Sequence, residues 1–205
     1  MKSSCKNRLV AHADPHSCSL ARVIQTLSSK MHIRPLIHSD ASDYRALMLQ
    51  GYEIAADAFT STAPERAAEP LSWWRSRIEN PHNLSHVVGA FHEGILVGTV
   101  TIEYSARSKI LHKAHLIGMY VSDLHRGLGA GKALLKAAIA HARTRAEVKV
   151  LTLTVTHGNK NAIHLYESLG FHQFGLEPMA IFTGTEYKAK VHMQRDLSLG
   201  ALTDL

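Results

Sequence analysis

Residues 119–135 read Met119-Tyr-Val-Ser-Asp-Leu-His-Arg-Gly-Leu-Gly-Ala-Gly-Lys-Ala-Leu-Leu135. An apolar stretch that is typical of a β-strand leads into three glycines at alternate positions, and a helical pattern follows them. Alternate glycines let the backbone pass close to a ligand and align successive N–H groups. The start of the helix adds about half a positive charge. The segment therefore predicts an anion site, most naturally for phosphate, between a strand and a helix.

Two other phosphate-binding loops do not fit these glycines. A Walker A loop needs a Ser or Thr after its lysine, but Ala133 follows Lys132, and Arg126 takes the place of the first glycine. A dinucleotide-binding loop that begins at Gly127 would need its third glycine where Lys132 stands. It would also need an acidic residue after the next strand, whereas Glu147 precedes that strand.

The hydrophobic pattern on either side of this segment alternates between strands and helices. Leu135, Ala138, Ile139 and Ala142 lie at helical spacing and give the clearest helix. The order is a strand, two helices, three strands, a helix, a strand, a helix and closing strands, which predicts a mixed α/β sheet with helices on both faces. The expected strands are 31–37, 86–91, 95–103, 111–121, 148–156, 171–176 and 187–193, and the expected helices are 44–49, 71–78, 127–145 and 159–169.

Composition and charge exclude several classes of protein. Of the 205 residues, 45% are hydrophobic and 20% are charged, which is ordinary for a globular protein. No run approaches the roughly 18 apolar residues of a membrane-spanning helix, so we expect no membrane association. The net charge is +6, and residues 105–149 alone contribute nine basic and two acidic side chains. Such a concentration fits a local polyanion site better than a nucleic-acid-binding surface, so we expect no nucleic-acid partner.

The chain ends differ from the rest in pattern. Residues 1–30 lack hydrophobic periodicity, and we expect them to be a flexible N-terminal extension or a stretch that precedes a true start at Met31. We expect a single domain over 31–198 and a C-terminal tail over 199–205.

Cysteine and histidine usage bears on the compartment and on metals. The two cysteines, Cys5 and Cys18, provide neither a disulfide framework nor a cysteine-based zinc site, and they favour a reducing compartment, the cytoplasm. Histidines four residues apart occur twice, at His12/His16 and His82/His86, but neither pair has a third ligand nearby in the sequence. We therefore expect no metal site.

Two linked motifs resemble the GNAT superfamily of N-acetyltransferases. Arg126-Gly-Leu-Gly-Ala-Gly-Lys132 is similar to the Arg/Gln-x-x-Gly-x-Gly/Ala loop of that family, and residues 155–171 are similar to its fifth strand and fourth helix. With Ile33-Arg-Pro-Leu and the strand around Met193, the resemblance covers roughly 32–196. It implies an α/β fold with a mixed, mostly antiparallel central sheet of six to seven strands, flanked by about four helices.

The resemblance also implies acetyl-coenzyme A (acetyl-CoA) as the acetyl donor. The backbone at Met119 and Val121 would pair with the pantetheine arm as though the arm were an added strand. Asn159 would contact the pantetheine region, and Tyr166 would be the general acid that protonates the departing thiolate. The pyrophosphate would be held by the loop residues Arg126, Gly127, Leu128, Gly129, Ala130, Gly131 and Lys132.

The general base is where this sequence departs from the family. Many members carry a Glu on the fourth strand, whereas the comparable position here is His115, with Glu103 one strand earlier. A lysine-like acceptor amine has a pKa of about 10.4 and must lose a proton before it attacks. Histidine has a suitable pKa for this task. His115, Glu103 and a water relay without a dedicated side chain remain three alternatives.

The resemblance implies a primary amine as acceptor, on a small molecule or on a peptide or protein. Phe59, Trp73 and Trp74 are candidates for its pocket, with packing in the core as the alternative role of the tryptophans. Residues 31–104 carry a net charge of −4, which favours a cationic amine. The resemblance is also compatible with a homodimer. The alternative function is a non-catalytic module of the same fold that binds or senses acyl-CoA.

Overall fold

The structure, a computed structural model, describes residues 31–198. The expected extension over 1–30 and tail over 199–205 lie outside these residues. The described part contains seven strands: β1 His32–Pro35, β2 Ser85–His92, β3 Ile95–Tyr104, β4 Lys113–Val121, β5 Val150–Thr156, β6 His172–Phe182 and β7 Tyr187–Asp196. Its α-helices are α1 Ala41–Ile54, α2 Ala63–Ala67, α3 Leu71–Glu79, α4 Ala130–Arg143 and α5 Lys160–Glu167. No helix within these residues is long and apolar enough to cross a bilayer.

The strands form one sheet in the order β1-β2-β3-β4-β5-β7-β6. Neighbouring strands are antiparallel except for β4 and β5, which are parallel. The predicted mixed, mostly antiparallel sheet is therefore confirmed. Pairing between β4 and β5 runs only over Lys113–Leu116 and Val150–Leu153. Beyond those residues both strands continue without pairing to each other, and a gap opens in the sheet.

A β-bulge interrupts β4 beside this gap. It lies at Gly118, whose φ of +59° is in the left-handed region that favours glycine. Leu116, before the bulge, and Met119 and Val121, after it, all contact the same hydrophobic core. An uninterrupted strand would place Leu116 and Met119 on opposite faces of the sheet. The bulge therefore sets which side chains of β4 lie beside the gap.

Helices cover both faces of the sheet, as predicted, and each face has its own core. One core contains the apolar stripe of α4, with Leu134, Leu135 and Ala138 fully buried, together with Tyr166 of α5. The second core lies beneath α1 and α3 and includes Trp74.

The structure adds helix α2, which was not predicted, and α1 spans Ala41–Ile54 rather than the expected 44–49. Two further element boundaries differ from the predictions for clear reasons. Helix α4 begins at Ala130 rather than at Gly127, because Gly127 and Gly129 have φ values of +79° and +83° and are not helical. Strand β6 extends to Phe182 rather than to residue 176, and its pairing with β7 is interrupted by two register shifts. Met179, with a φ of +58°, lies within the second interruption, which hides the strand's alternating pattern in the sequence.

Candidate active site

A cavity of about 830 Å³ lies between the unpaired ends of β4 and β5, and three groups of residues line it. The loop wall contains residues of β4, of the glycine loop, of α4 and of α5: Met119, Val121, Arg126, Gly127, Gly129, Ala130, Gly131, Lys132, Asn159 and Tyr166. The aromatic wall contains residues of α1, α2, α3 and their connections: Tyr44, Met48, Tyr52, Phe59, Arg66, Trp73 and Arg77. The sheet floor is formed by residues of β4, β5 and β7: His115, Thr154, Thr156 and Lys190.

The glycine loop presents main-chain N–H groups to the cavity. Ala130, Gly131 and Lys132 are the first three residues of α4, so their N–H groups have no acceptor within the helix. A Cβ added at Gly129 would meet nothing within 4 Å, which leaves open space beside this backbone. We call these free N–H groups the anion cradle, since such an arrangement at the start of a helix is able to bind an anion. Leu128 of the same loop is 57% exposed and does not line the cavity.

Arg126 is fixed to the rest of the loop wall. Its guanidinium forms an ion pair with Asp123 at 2.7 Å, and its Nε donates to the carbonyl oxygen of Val121 at 3.3 Å. These contacts hold the loop against the end of β4. The positive charges of Arg126 and Lys132 both border the cavity, as a ligand that carries phosphates would require.

The start of α5 completes the loop wall. Asn159 caps this helix, because its side-chain oxygen accepts the N–H of Ala162 at 3.2 Å. A Cβ added at Gly131 would lie 3.2 Å from Leu165 and 3.4 Å from Met119, so glycine allows α4, α5 and β4 to approach closely. This close approach brings the anion cradle beside the face of α5 that carries Tyr166.

Tyr166 lines the cavity at the back of the loop wall. Its side chain is 7% exposed and packs against Phe171. Burial raises the pKa of its phenol to about 12, so the hydroxyl keeps its proton at neutral pH. Within residues 31–198 the hydroxyl forms no hydrogen bond, which leaves its proton available to a ligand.

His115 lies in the sheet floor with a defined tautomer. The Thr152 hydroxyl donates to the carbonyl oxygen of Ala114 at 3.2 Å, so it accepts a hydrogen bond from His115 Nδ1 at 2.9 Å. The neutral ring therefore carries its proton on Nδ1 and a lone pair on Nε2. Burial lowers the pKa of His115, against the opposing attraction of Glu103. At neutral pH the imidazole can accept a proton.

Glu103, the second candidate base, is paired with His115 across β3 and β4. Its carboxylate forms an ion pair with Arg77 at 3.7 Å, and it is not among the cavity-lining residues. From its position beside His115, the negative charge of Glu103 favours the protonated imidazole and so opposes the lowering of its pKa.

The aromatic wall contains two of the three predicted pocket residues. Phe59 packs edge-to-face on Tyr52, with ring centroids 4.8 Å apart. Trp73 has the guanidinium groups of Arg66 and Arg77 over its ring, at 4.8 Å and 4.9 Å from the centroid. Trp74, by contrast, is 1% exposed and does not line the cavity, so it serves core packing.

Several cavity residues have no local sequence pattern that predicts their place in the site. They are Tyr44, Met48 and Tyr52 of α1, Arg66 of α2, Arg77 of α3, Thr101 of β3, His125 just before the glycine loop and Lys190 of β7. The four-residue spacing of Tyr44, Met48 and Tyr52 marks one face of α1, but it does not distinguish a cavity wall from a core. No local sequence pattern indicates that the cationic side chains lie at the cavity, because the tertiary fold places them there.

The charge of the cavity also differs from the expectation. None of the described residues that line it is Asp or Glu. Acidic side chains of residues 31–104 instead form ion pairs outside it: Asp40 with Arg34, Glu79 with His38, Glu103 with Arg77 and Asp57 with Lys188. Four of the nine acidic side chains of residues 31–104 are thus ion-paired, and none of the nine lines the cavity.

Comparison with known proteins agrees with this geometry. The sequence model described as "Acetyltransferase (GNAT) family" matches residues 48–171. N-alpha-acetyltransferase RimI of Mycobacterium tuberculosis is 33% identical over 125 residues, which are 60% of this chain and 72% of that protein. Other curated relatives are matched over 48% and 57% of their own length, so the chain spans about half of theirs.

Solved structures share the fold. A GNAT-family acetyltransferase from Streptococcus pneumoniae has a TM-score of 0.74 at 21% identity, over 82% of this chain and 99% of that one. The putative acetyltransferase yncA from Salmonella typhimurium, solved with its cofactor acetyl-CoA, has a TM-score of 0.69 at 22% identity, over 86% of this chain and 99% of that one. The resemblance seen in the two sequence motifs is confirmed, and this chain belongs to the GNAT family of acetyltransferases.

Proposed function

We propose that this acetyltransferase transfers the acetyl group of acetyl-CoA to a primary amine by direct attack in a ternary complex. One observation carries the proposal: the loop wall and the aromatic wall line a single cavity, and Tyr166 and His115 both border it. A donor on one wall and an acceptor against the other would therefore share one space. The mycobacterial relative named as an N-alpha-acetyltransferase and the Salmonella neighbour solved with acetyl-CoA support this choice of reaction.

The residues of the loop wall fit coenzyme A. Its pyrophosphate needs N–H donors and positive charge, and the start of α4 with Arg126 and Lys132 supplies both. Its pantetheine arm needs a free strand edge, and the backbone of Met119 and Val121 lies beyond the last paired residues of β4 and β5. Asn159, at the start of α5, would contact the same arm.

Bound acetyl-CoA supplies an acyl group that is already activated as a thioester. The chain therefore has to provide position and proton transfers. His115 Nε2 takes the proton that the attacking amine releases. Tyr166 donates its phenolic proton toward the departing sulfur, whose pKa as a thiol is near 8.5. The raised pKa of Tyr166 keeps it in the donating form, and the lowered pKa of His115 keeps it in the accepting form.

The reaction itself is tested by measuring thiol release from acetyl-CoA with a panel of primary amines, beside calorimetric titration of coenzyme A. Micromolar binding together with amine-dependent thiol release supports the proposal. Binding without turnover across the panel would instead favour the acyl-CoA-sensing module.

The role of His115 has its own test. We expect His115→Gln to lower kcat by about 10²-fold, since general base catalysis contributes at least this much. The wild-type rate should fall only at a pH below the usual histidine pKa, because burial lowers the pKa of His115. His172→Gln is the matched control, since His172 contacts Gln194 at 3.3 Å and does not line the cavity. An unchanged acid limb in the His115 variant would remove it as the base and leave Glu103 or water.

A further inference from the structure

The acceptor side of the cavity has an unbalanced positive charge. Arg66 lies on the aromatic wall and Lys190 on the sheet floor, neither forms an ion pair within the described residues, and the described lining includes no carboxylate. Arg77, also on the aromatic wall, is paired with Glu103. Cationic acceptors would meet repulsion there, because like charges in a partly enclosed site cannot be screened well by water. A negatively charged ligand would instead balance the positive charge of the cavity.

Lys190 shows this imbalance most clearly when it is compared with Lys188 on the same strand. Lys188 forms ion pairs with Asp57 and Glu186 at 3.2 and 3.0 Å. Lys190 is 7% exposed and has no ion pair within 4 Å in the described part of the chain. Its cross-strand neighbour Glu177 is bonded to His192 at 3.0 Å instead. Buried lysines are rarely left unpaired, so Lys190 indicates a missing anion.

Arg66 of the aromatic wall also has a donor without a partner. Its Nη2 donates to the Ser61 hydroxyl at 2.8 Å, while its Nε is buried without a hydrogen-bond partner. The guanidinium is held over the ring of Trp73 and is therefore oriented before a ligand arrives. A planar fork of N–H groups suits a carboxylate.

The remaining surface of the aromatic wall is apolar. Met48, Tyr52, Phe59 and Trp73 form a surface that would accept the hydrocarbon part of a ligand. The acceptor side thus combines cationic groups, an apolar surface and the proposed base in one cavity.

We propose that the acceptor is an amino acid-like molecule whose carboxylate is bound by Lys190 and Arg66 while its amine faces His115. This inference rests on the proposed function and narrows its substrate class. It assigns the apolar side chain of the acceptor to the surface formed by Tyr52, Phe59 and Trp73.

The first test compares matched acceptors that differ only in charge. L-Leucine and L-phenylalanine are assayed beside their amides by thiol release from acetyl-CoA. We expect kcat/KM to be at least ten-fold higher for the acids, mainly through KM. Replacing the carboxylate with an amide also lowers the pKa of the amine, which by itself would make the amides react faster. This effect opposes the expected result. Lys190→Met and Arg66→Met should each reduce the preference, whereas Lys188→Met should keep it.

The second test measures binding without turnover. N-acetyl-L-leucine and N-acetyl-L-leucinamide are titrated into the protein saturated with coenzyme A. We expect the acid to bind at least ten-fold more tightly, and Lys190→Met to abolish the difference while the affinity for coenzyme A stays unchanged. Unchanged coenzyme A affinity shows that the variant is folded.

The outcomes separate the two proposals. Equal or tighter binding of the amide, no binding of either probe, or discrimination that survives in Lys190→Met overturns the anionic acceptor. Faster turnover of neutral or cationic amines also overturns it and leaves the transferase standing. Selective binding of the acid with no thiol release from any amine supports the anion site and refutes the transferase instead.

Discussion

The loop wall and the aromatic wall of the cavity are built in opposite ways. The loop wall uses main-chain N–H groups and a free strand edge, and its anion cradle comes from one segment, Arg126–Lys132. The aromatic wall uses side chains from three helices, and Lys190 from the far end of the chain adds to the same side. Recognition of a ligand by main-chain N–H groups requires glycines at fixed spacing, and these form a motif that can be identified in the sequence. Side-chain recognition depends on which distant residues the fold brings together.

Tyr166→Phe removes the proposed proton donor of the loop wall and should have the largest effect. Loss of the phenolic proton donor should lower kcat by about 10²- to 10⁴-fold, with little change in coenzyme A affinity. The packing of the ring on Phe171 is kept, so stability should change little. Single-turnover thiol release gives the rate and calorimetry the affinity. A kcat within three-fold of wild type would show that the departing sulfur receives its proton elsewhere.

Gly129→Ala tests the loop wall alone. The φ of +83° strains any residue with a Cβ, and the added methyl would enter the open space beside the cradle. We expect the KM for acetyl-CoA to rise about ten- to hundred-fold, with the KM for the amine unchanged.

Gly94→Ala is the matched control for that variant. Gly94 has a φ of +81° and equally open surroundings, but it lies in the turn between β2 and β3. Both variants should lose similar unfolding free energy, about 1 kcal/mol. If the Gly94 variant weakens acetyl-CoA binding equally, the effect comes from strain rather than from the cradle.

The smallest effect concerns a region that belongs to neither wall. His86 of β2 stacks on His141 of α4 with ring centroids 3.4 Å apart, and burial lowers the pKa of His86 to about 4. The unfolded chain therefore binds a proton before the folded one does, and stability falls as pH decreases from about 6.5 to about 4. We expect a loss of about 1–2 kcal/mol between pH 7 and pH 5.

Urea unfolding at the two pH values measures this loss. His86→Phe, which keeps an aromatic ring in the stack, should reduce the pH dependence, whereas His82→Phe on the exposed surface should not. Acetyl-CoA affinity should be the same in both variants. An identical pH dependence in His86→Phe and wild type would contradict the assignment to His86.

The contrast between the two walls also explains how much of the fold and of the site could be predicted from the sequence. The sheet, the glycine loop and four of the five described α-helices follow from local patterns over a few consecutive residues, whereas the short helix α2 was not predicted. The bulge at Gly118 and the start of α4 at Ala130 depend on backbone geometry that hydrophobic spacing does not encode. The charge of the cavity was not legible either, because Lys190 reaches it only after β7 pairs between β5 and β6.

The interrupted pairing of β6 has a consequence for solubility. This strand lies at the rim of the sheet and exposes Phe174, Leu176 and Phe182, each by more than half of its surface. A long, regular rim with such side chains would be a template for intermolecular strand addition and fibril growth. Two register shifts and Pro178, which lacks an N–H group, break that template into short pieces. Irregularity at this rim is thus a built-in safeguard against aggregation.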